Sequence, residues 1–121
     1  MVKKELTSGA EVPEDRSHTN LKPNGQQEDY VVLSPEERAK GFVRPVRRTY
    51  LHVGINPIMD GNILVKPGNR GCGTVTTMSI SIAETYARDP KFYDGTFCCA
   101  CGEHRPLNEF YWAGTNEMVG S

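Results

Sequence analysis

The hydrophobic positions of this chain are concentrated after residue 29. Residues 1–29 contain few apolar side chains and follow neither the strand period of 2 nor the helix period of about 3.6. Such a segment cannot bury enough apolar surface to offset the entropy of ordering it. The pattern therefore predicts a flexible polar N-terminal arm over residues 1–29 and a single folded domain over residues 30–121.

Two short elements are predicted at the start of this domain. Residues 30–33 form a β-prone run. Ser34 follows as a helix N-cap, with Pro35 at the first helical position and Glu37 placed for a capping box. Gly41 ends this helix soon after it begins.

The middle of the domain favours strands and a hairpin. A partial alternation of β-formers predicts a strand near residues 47–53. Residues 62–66 are a second candidate strand, and Asp60-Gly61 is a turn that would join it to the preceding residues as a hairpin.

Residues 74–88 have an ambiguous pattern. Met78, Ile82 and Tyr86 form a stripe at helical spacing, although part of the segment alternates as a strand does. We predict a helix over about residues 77–88, ended by Asp89-Pro90. The expected fold class is thus α+β: a small domain with short β-hairpins or strands and one or two short helices.

Composition and charge narrow the class of protein. The chain has 121 residues, of which 37% are hydrophobic, and a formal net charge of −1. It has no apolar run of about 18 residues that would predict a membrane span, and no apolar stretch behind Lys3 and Lys4 that would predict a secretory signal. A near-neutral charge argues against coating nucleic acid by bulk charge. We expect a small intracellular protein with no membrane partner.

The four cysteines point to metal binding. Cys98, Cys99 and Cys101 fall within four residues, and Cys72 is the fourth. Adjacent cysteines bridge poorly, and a reducing compartment disfavours disulfides. Cys98 and Cys101, followed by Gly102, form the Cx₂CG pattern of a zinc knuckle, in which two thiolates grip one tetrahedral ion from a tight turn.

A closed zinc site needs two further ligands. Cys72 lies between two glycines that permit a sharp turn, and we take it as the third ligand. His52, near the end of a predicted strand, is preferred as the fourth over His104, which follows Cys101 by only three residues. Cys99 is expected to pack elsewhere.

The other polar residues that could take part in a metal or catalytic site are expected to be ordinary solvated side chains. His18, in the arm, is expected to be solvated. Glu103 and Glu109 lie near the knuckle, but a glutamate on a polar hairpin is usually solvated too. Without a general base or an open coordination position, the predicted zinc is structural and the chain is not expected to be an enzyme.

A cluster of arginines lies at the start of the strand predicted near residues 47–53. Arg44, Arg47 and Arg48 belong to a segment, residues 36–50, of net charge +3. Such arginines can contact phosphate or an acidic partner. Charge that guards an edge strand against association is the favoured explanation.

Residues 97–112, FCCACGEHRPLNEFYW, resemble the Cx₂CG-x₃-PL-x-EF segment of phage zinc proteins, some of which are associated with HNH-type nucleases. Residues 30–121 more broadly resemble small uncharacterised phage and prophage proteins. The resemblance implies a viral origin, a location in the host cytoplasm or the virion, and a zinc site built from the histidine, the lone cysteine and the Cx₂C pair. The chain lacks the second, downstream cysteine pair of the phage proteins, and it lacks the Asp-His pair and the downstream histidine that would hold a catalytic ion in a nuclease.

Three functions are compatible with these features. The leading hypothesis is a non-enzymatic phage protein that binds a phage or host protein, as a virion or assembly component or a host-directed factor. The alternative is a nucleic-acid-binding zinc module that uses the arginines of residues 38–50. A metal-dependent nuclease related to the HNH type comes third.

Overall fold

The computed structural model describes residues 3–121 and shows an α+β domain of short antiparallel strands and two helices. The strands are β1 (Lys4–Leu6), β2 (Val31–Leu33), β3 (Thr49–His52), β4 (Ile58–Asp60), β5 (Ile63–Lys66), β6 (Val75–Thr77), β7 (Gly95–Cys98), β8 (Glu103–Pro106) and β9 (Phe110–Trp112). The helices are α1 (Pro35–Arg38) and α2 (Ile80–Arg88), with 3-10 turns at Ser17–Thr19 and Leu107–Glu109. The predicted fold class is confirmed. Within residues 3–121, no helix is both long and apolar enough to cross a membrane.

A three-stranded sheet in the order β6-β3-β9 forms the centre of the domain. Tyr50 of β3 lies opposite Trp112 of β9, and His52 lies opposite Phe110. Because side chains alternate along a strand, Tyr50 and His52 share one face, and both are buried. That face packs with α2 and β7 in a core made of Tyr50, Met78, Ala83, Tyr86, Cys98, Phe110, Trp112 and Val119.

The other described strands form three two-stranded antiparallel sheets: β1-β2, which pairs strands distant in sequence, and the hairpins β4-β5 and β7-β8. The turn predicted at Asp60-Gly61 does join β4 to β5. In β7-β8, Phe97 lies opposite His104 and Cys98 opposite Glu103, so that the knuckle cysteines lie at the tip of a hairpin.

The two helices begin at serine caps. The Ser34 hydroxyl accepts a hydrogen bond from the backbone N–H of Glu37 at 3.3 Å, as the sequence predicts. The second helix starts later than predicted, at Ile80 with Ser79 as its cap. Residues 75–77 pair with β3 instead, and this pairing takes the start of the ambiguous segment into the sheet.

The N-terminal segment differs from the flexible arm that the sequence predicts. Residues 3–29 lie against the domain: β1 pairs with β2, and Leu6 is only 6% exposed. His18, predicted to be solvated, is 9% exposed. Backbone pairing and hydrogen bonds hold the segment where its few apolar side chains would not suffice. Met1 and Val2, also part of the predicted arm, lie outside the described residues.

The N-terminal segment contacts the zinc-knuckle turn through a glycine, Gly25. Gly25 has a φ of +92°, and a Cβ at this position would overlap the backbone carbonyl of Gly102, the knuckle glycine. We expect Gly25→Ala to displace the arm, so that limited proteolysis cuts residues 20–29 several times faster than in the unsubstituted protein. Gly9→Ala is the matched control, because Gly9 has a φ of +88° but a Cβ there would meet no atom within 4 Å. Equal cleavage rates in the two variants would contradict this prediction.

Candidate metal centre

The structure brings His52, Cys72, Cys98 and Cys101 together. One potential ligand atom from each residue lies within 4.8 Å of all the others. The His52 Nδ1 atom is 3.4 Å from the Cys72 Sγ atom and 3.5 Å from the Cys101 Sγ atom. The Sγ atoms of Cys72 and Cys98 are 3.4 Å apart. These separations suit four ligands arranged around one ion.

Three separate parts of the chain supply these side chains. His52 is the last residue of β3, and Cys72 lies in the loop between β5 and β6. Cys98 is the last residue of β7, and Cys101 lies in the turn that leads to β8. The loop carrying Cys72 approaches the end of β3 closely, since a Cβ on Gly71 would overlap the backbone of Val53. At the turn, the backbone N–H of Gly102 donates to the carbonyl of Cys98 at 2.9 Å.

Electrostatics within the cluster favour a bound cation. Burial opposes ionisation of the Cys72 thiol, but hydrogen bonds from Thr74 and His52 outweigh it and lower the pKa of Cys72 to about 6. Burial and the neighbouring thiols of Cys98 and Cys72 raise the pKa of Cys101 to about 12. Three thiolates this close repel one another. A divalent cation at their centre would relieve that repulsion, and metal binding would release the remaining protons.

A buried carboxylate orients the histidine. The His52 Nε2 atom lies 2.8 Å from Oε1 of Glu109, and the Glu109 carboxylate accepts two further hydrogen bonds from the guanidinium of Arg105 at 3.1 and 2.9 Å. Phe110 stacks on the imidazole at a centroid distance of 4.7 Å. In a metal-bound centre, Glu109 would hold the proton of the imidazole on Nε2, and the lone pair of Nδ1 would then be available to the ion.

Glu109 corrects an expectation from the sequence. The sequence predicts a solvated side chain, yet Glu109 is 2% exposed. The 3-10 turn at Leu107–Glu109 carries its carboxylate into the interior, where Arg105 balances its charge. The spacing of Arg105 and Glu109, four residues apart, is the one signal in the sequence for such a pair.

The other two sulfur and imidazole candidates lie outside the cluster. His104 Nε2 is 2.8 Å from the Tyr30 hydroxyl, on the side of the hairpin that faces the N-terminal segment. Cys99 is exposed, and it does not pack into a core as expected. Its thiol lies 3.3 Å from Oγ1 of Thr76 in β6.

Cys99 therefore supplies a control for the metal centre. We expect Cys99→Ser to retain all bound metal and to change the free energy of unfolding by less than about 1 kcal/mol, because exposed substitutions cost little. Metal content and denaturant unfolding measure both effects. Loss of metal from this variant would place Cys99 among the ligands.

The three arginines considered as phosphate contacts, Arg44, Arg47 and Arg48, each form a hydrogen bond or an ion pair within the chain. Arg47 lies over the ring of Trp112 at 4.9 Å and pairs with Glu117 at 3.2 Å. Arg48 donates to the carbonyl of Met78 at 3.0 Å, and Arg44 donates to that of Ser121 at 3.2 Å. These contacts tie the start of the sheet to neighbouring segments.

Comparisons of this chain with protein-family models, curated proteins and solved structures find no match.

Proposed function

We propose that the four clustered side chains hold one Zn²⁺ ion. Three thiolates and one imidazole form a Cys₃His donor set, which is a standard tetrahedral set for structural zinc. Soft sulfur ligands in this number disfavour magnesium, calcium and manganese, which prefer oxygen. The convergence of these four ligands from three chain segments is the observation that carries the proposal.

The proposed role of the zinc is structural. Four protein ligands complete a tetrahedral shell and leave no position for a water molecule or a substrate. The ion would join the end of β3, the loop after β5 and the tip of the β7-β8 hairpin. Every described strand has only three or four residues, and domains with small cores commonly depend on a metal or a disulfide for stability.

Elemental analysis of the purified full-length chain tests this proposal. We expect about one zinc per chain, and replacement of zinc by Co²⁺ should give the absorption of a tetrahedral site with thiolate-to-cobalt charge-transfer bands. Their intensity should correspond to three thiolates and fall in Cys72→Ser. Absence of stoichiometric metal, or an octahedral cobalt spectrum, would contradict it.

We further propose that the domain stabilised by this zinc ion acts by binding a protein. It would do so as a component of a phage particle or as a factor in the assembly of the particle. The resemblance of residues 97–112 to phage zinc proteins supports the viral setting. The β4-β5 hairpin supports the interaction role, since Ile63 and Val65 are 67% and 62% exposed on one face of it. Exposed apolar side chains grouped in this way are typical of contact surfaces.

Co-purification of the tagged full-length chain from its native cells tests the interaction role. The same protein should be enriched with the unsubstituted chain and lost with Ile63→Lys/Val65→Lys, while Lys91→Glu, remote in sequence from the hairpin, retains it. Both variants should keep their metal. A partner set unaffected by the hairpin substitutions would contradict this role.

Binding to nucleic acid is less well supported. The intramolecular contacts of Arg44, Arg47 and Arg48 would compete with phosphate for the same guanidinium groups. If nucleic acid were the partner, affinity would fall steeply with salt concentration, because phosphate contacts release counterions.

A further inference from the structure

A cavity separates the N-terminal segment from the core, away from the metal centre. Its volume is about 230 Å³, and none of the four clustered metal-centre residues lines it. The inner wall consists of residues of β3, β6, β7 and α2 and of the segments next to them, and the roof is formed by residues 7, 22 and 26–30. A cavity of about 150 Å³ accepts benzene. This one therefore has room for a two-ring compound.

The inner wall is uncharged and combines aromatic rings with aliphatic and hydroxyl side chains. Rings come from Tyr50, Tyr86, Tyr93 and Phe97, and aliphatic surface comes from Met78 and Ile82. The charged lining residues, Lys22, Glu28 and Asp29, all belong to the roof. A buried charge without a partner is costly, so this wall suits a flat and uncharged ligand.

Three hydroxyl groups of the wall, those of Thr96, Tyr50 and Tyr93, already donate their protons to other groups of the protein. Thr96 donates to the Tyr50 hydroxyl at 3.1 Å, and Tyr50 donates to the backbone carbonyl of Phe97. Tyr93 donates to the carbonyl of Val31 at 2.6 Å. These three oxygens therefore offer lone pairs to a ligand, which must itself supply the hydrogen.

We propose that this cavity binds a flat, uncharged ring compound that carries an N–H donor. The aromatic wall selects for a ring, the lack of charge on that wall selects for a neutral molecule, and the committed hydroxyls select for a donor. The proposal does not depend on the identity of the metal.

Indole and 1-methylindole are matched probes for this site, because they differ in the single N–H group. In a two-dimensional ¹H-¹⁵N titration of the full-length metal-loaded protein, indole should give saturable shifts at residues that line the cavity. The methylated compound should bind at least about tenfold more weakly, since it leaves an acceptor unpaired. No saturable shift with indole would overturn the proposal, and equal affinities would overturn the donor requirement on which it rests.

Two variants of the same helix locate the binding. Ile82 lines the cavity, whereas Ile80 is 51% exposed and does not. Ile82→Phe should fill the space and abolish indole binding, and Ile80→Phe should leave it unchanged. Should Ile82→Phe fail to fold, intermolecular nuclear Overhauser effects in the unsubstituted protein decide the question. Contacts from indole to the methyl groups of Met78 and Ile82 support the site, and contacts only elsewhere overturn it.

Discussion

Replacing Cys98 by serine is expected to remove the metal and to abolish cooperative unfolding. Cys98 is fully buried, and its thiol is 3.4 Å from that of Cys72. Structural zinc contributes an apparent binding free energy of about 10–16 kcal/mol in small zinc peptides, whereas whole domains are stable by only about 5–15 kcal/mol. Loss of one ligand should therefore cost most of the stability of the fold. Metal content and a denaturant titration monitored by Trp112 fluorescence measure the two effects.

The matched comparison is between the two histidines. His52→Ala should release the metal. His104→Ala should retain it, because the imidazole of His104 is hydrogen-bonded to the hydroxyl of Tyr30, outside the metal cluster. The neighbouring Cys99→Ser provides the control for a changed thiol at the same hairpin tip. Retention of metal by His52→Ala together with loss from His104→Ala would mean that the hairpin rather than β3 supplies the fourth ligand.

Glu109→Gln is expected to weaken metal binding by about 10–100-fold, the usual cost of losing the carboxylate behind a ligating histidine. The glutamine side chain has nearly the same shape but carries no charge. It would hold His52 less firmly and leave the guanidinium of Arg105 without its buried partner. Competition with a chelator of known affinity, in the full-length chain, measures the change.

The control for this effect is Glu103→Gln on the same hairpin. Glu103 is exposed and lies 3.5 Å from Arg105, without contact to the imidazole in the described structure. We expect it to keep metal affinity within about twofold, since exposed ion pairs contribute little. If both variants bound metal as tightly as the unsubstituted chain, the carboxylate of Glu109 would have no role in orienting His52.

Much of the metal centre can be predicted from the sequence, because the patterns that mark its ligands involve residues close together in the chain. Cx₂CG marks the hairpin tip, and glycines on both sides of Cys72 mark a second sharp turn. The preference for His52 over His104 rests on the end of a predicted strand, and the structure places His52 there, beside the three thiols. Short-range backbone requirements of this kind are visible without knowledge of the fold.

The parts that the sequence does not predict depend on contacts between distant residues. Glu109 is buried because β9 pairs with β3 and brings its carboxylate to His52, 57 positions away in the chain. The N-terminal segment contains few apolar residues, and its docking rests on pairing with β2 and on a backbone contact at Gly102. Neither hydrophobic periodicity nor composition reports such contacts.

The close contact between the backbones of Gly25 and Gly102 has a thermodynamic consequence. The hairpin tip that presents Cys98 and Cys101 is the same backbone on which the N-terminal segment rests. If the ion makes that tip rigid, it also favours docking of the segment, and linkage requires the docked segment to favour the ion by an equal free energy. Metal binding at the centre and docking of the N-terminal segment are then two coupled equilibria. A change in the metal occupancy of the centre should therefore be detectable as a change in the order of the N-terminal segment, and the reverse.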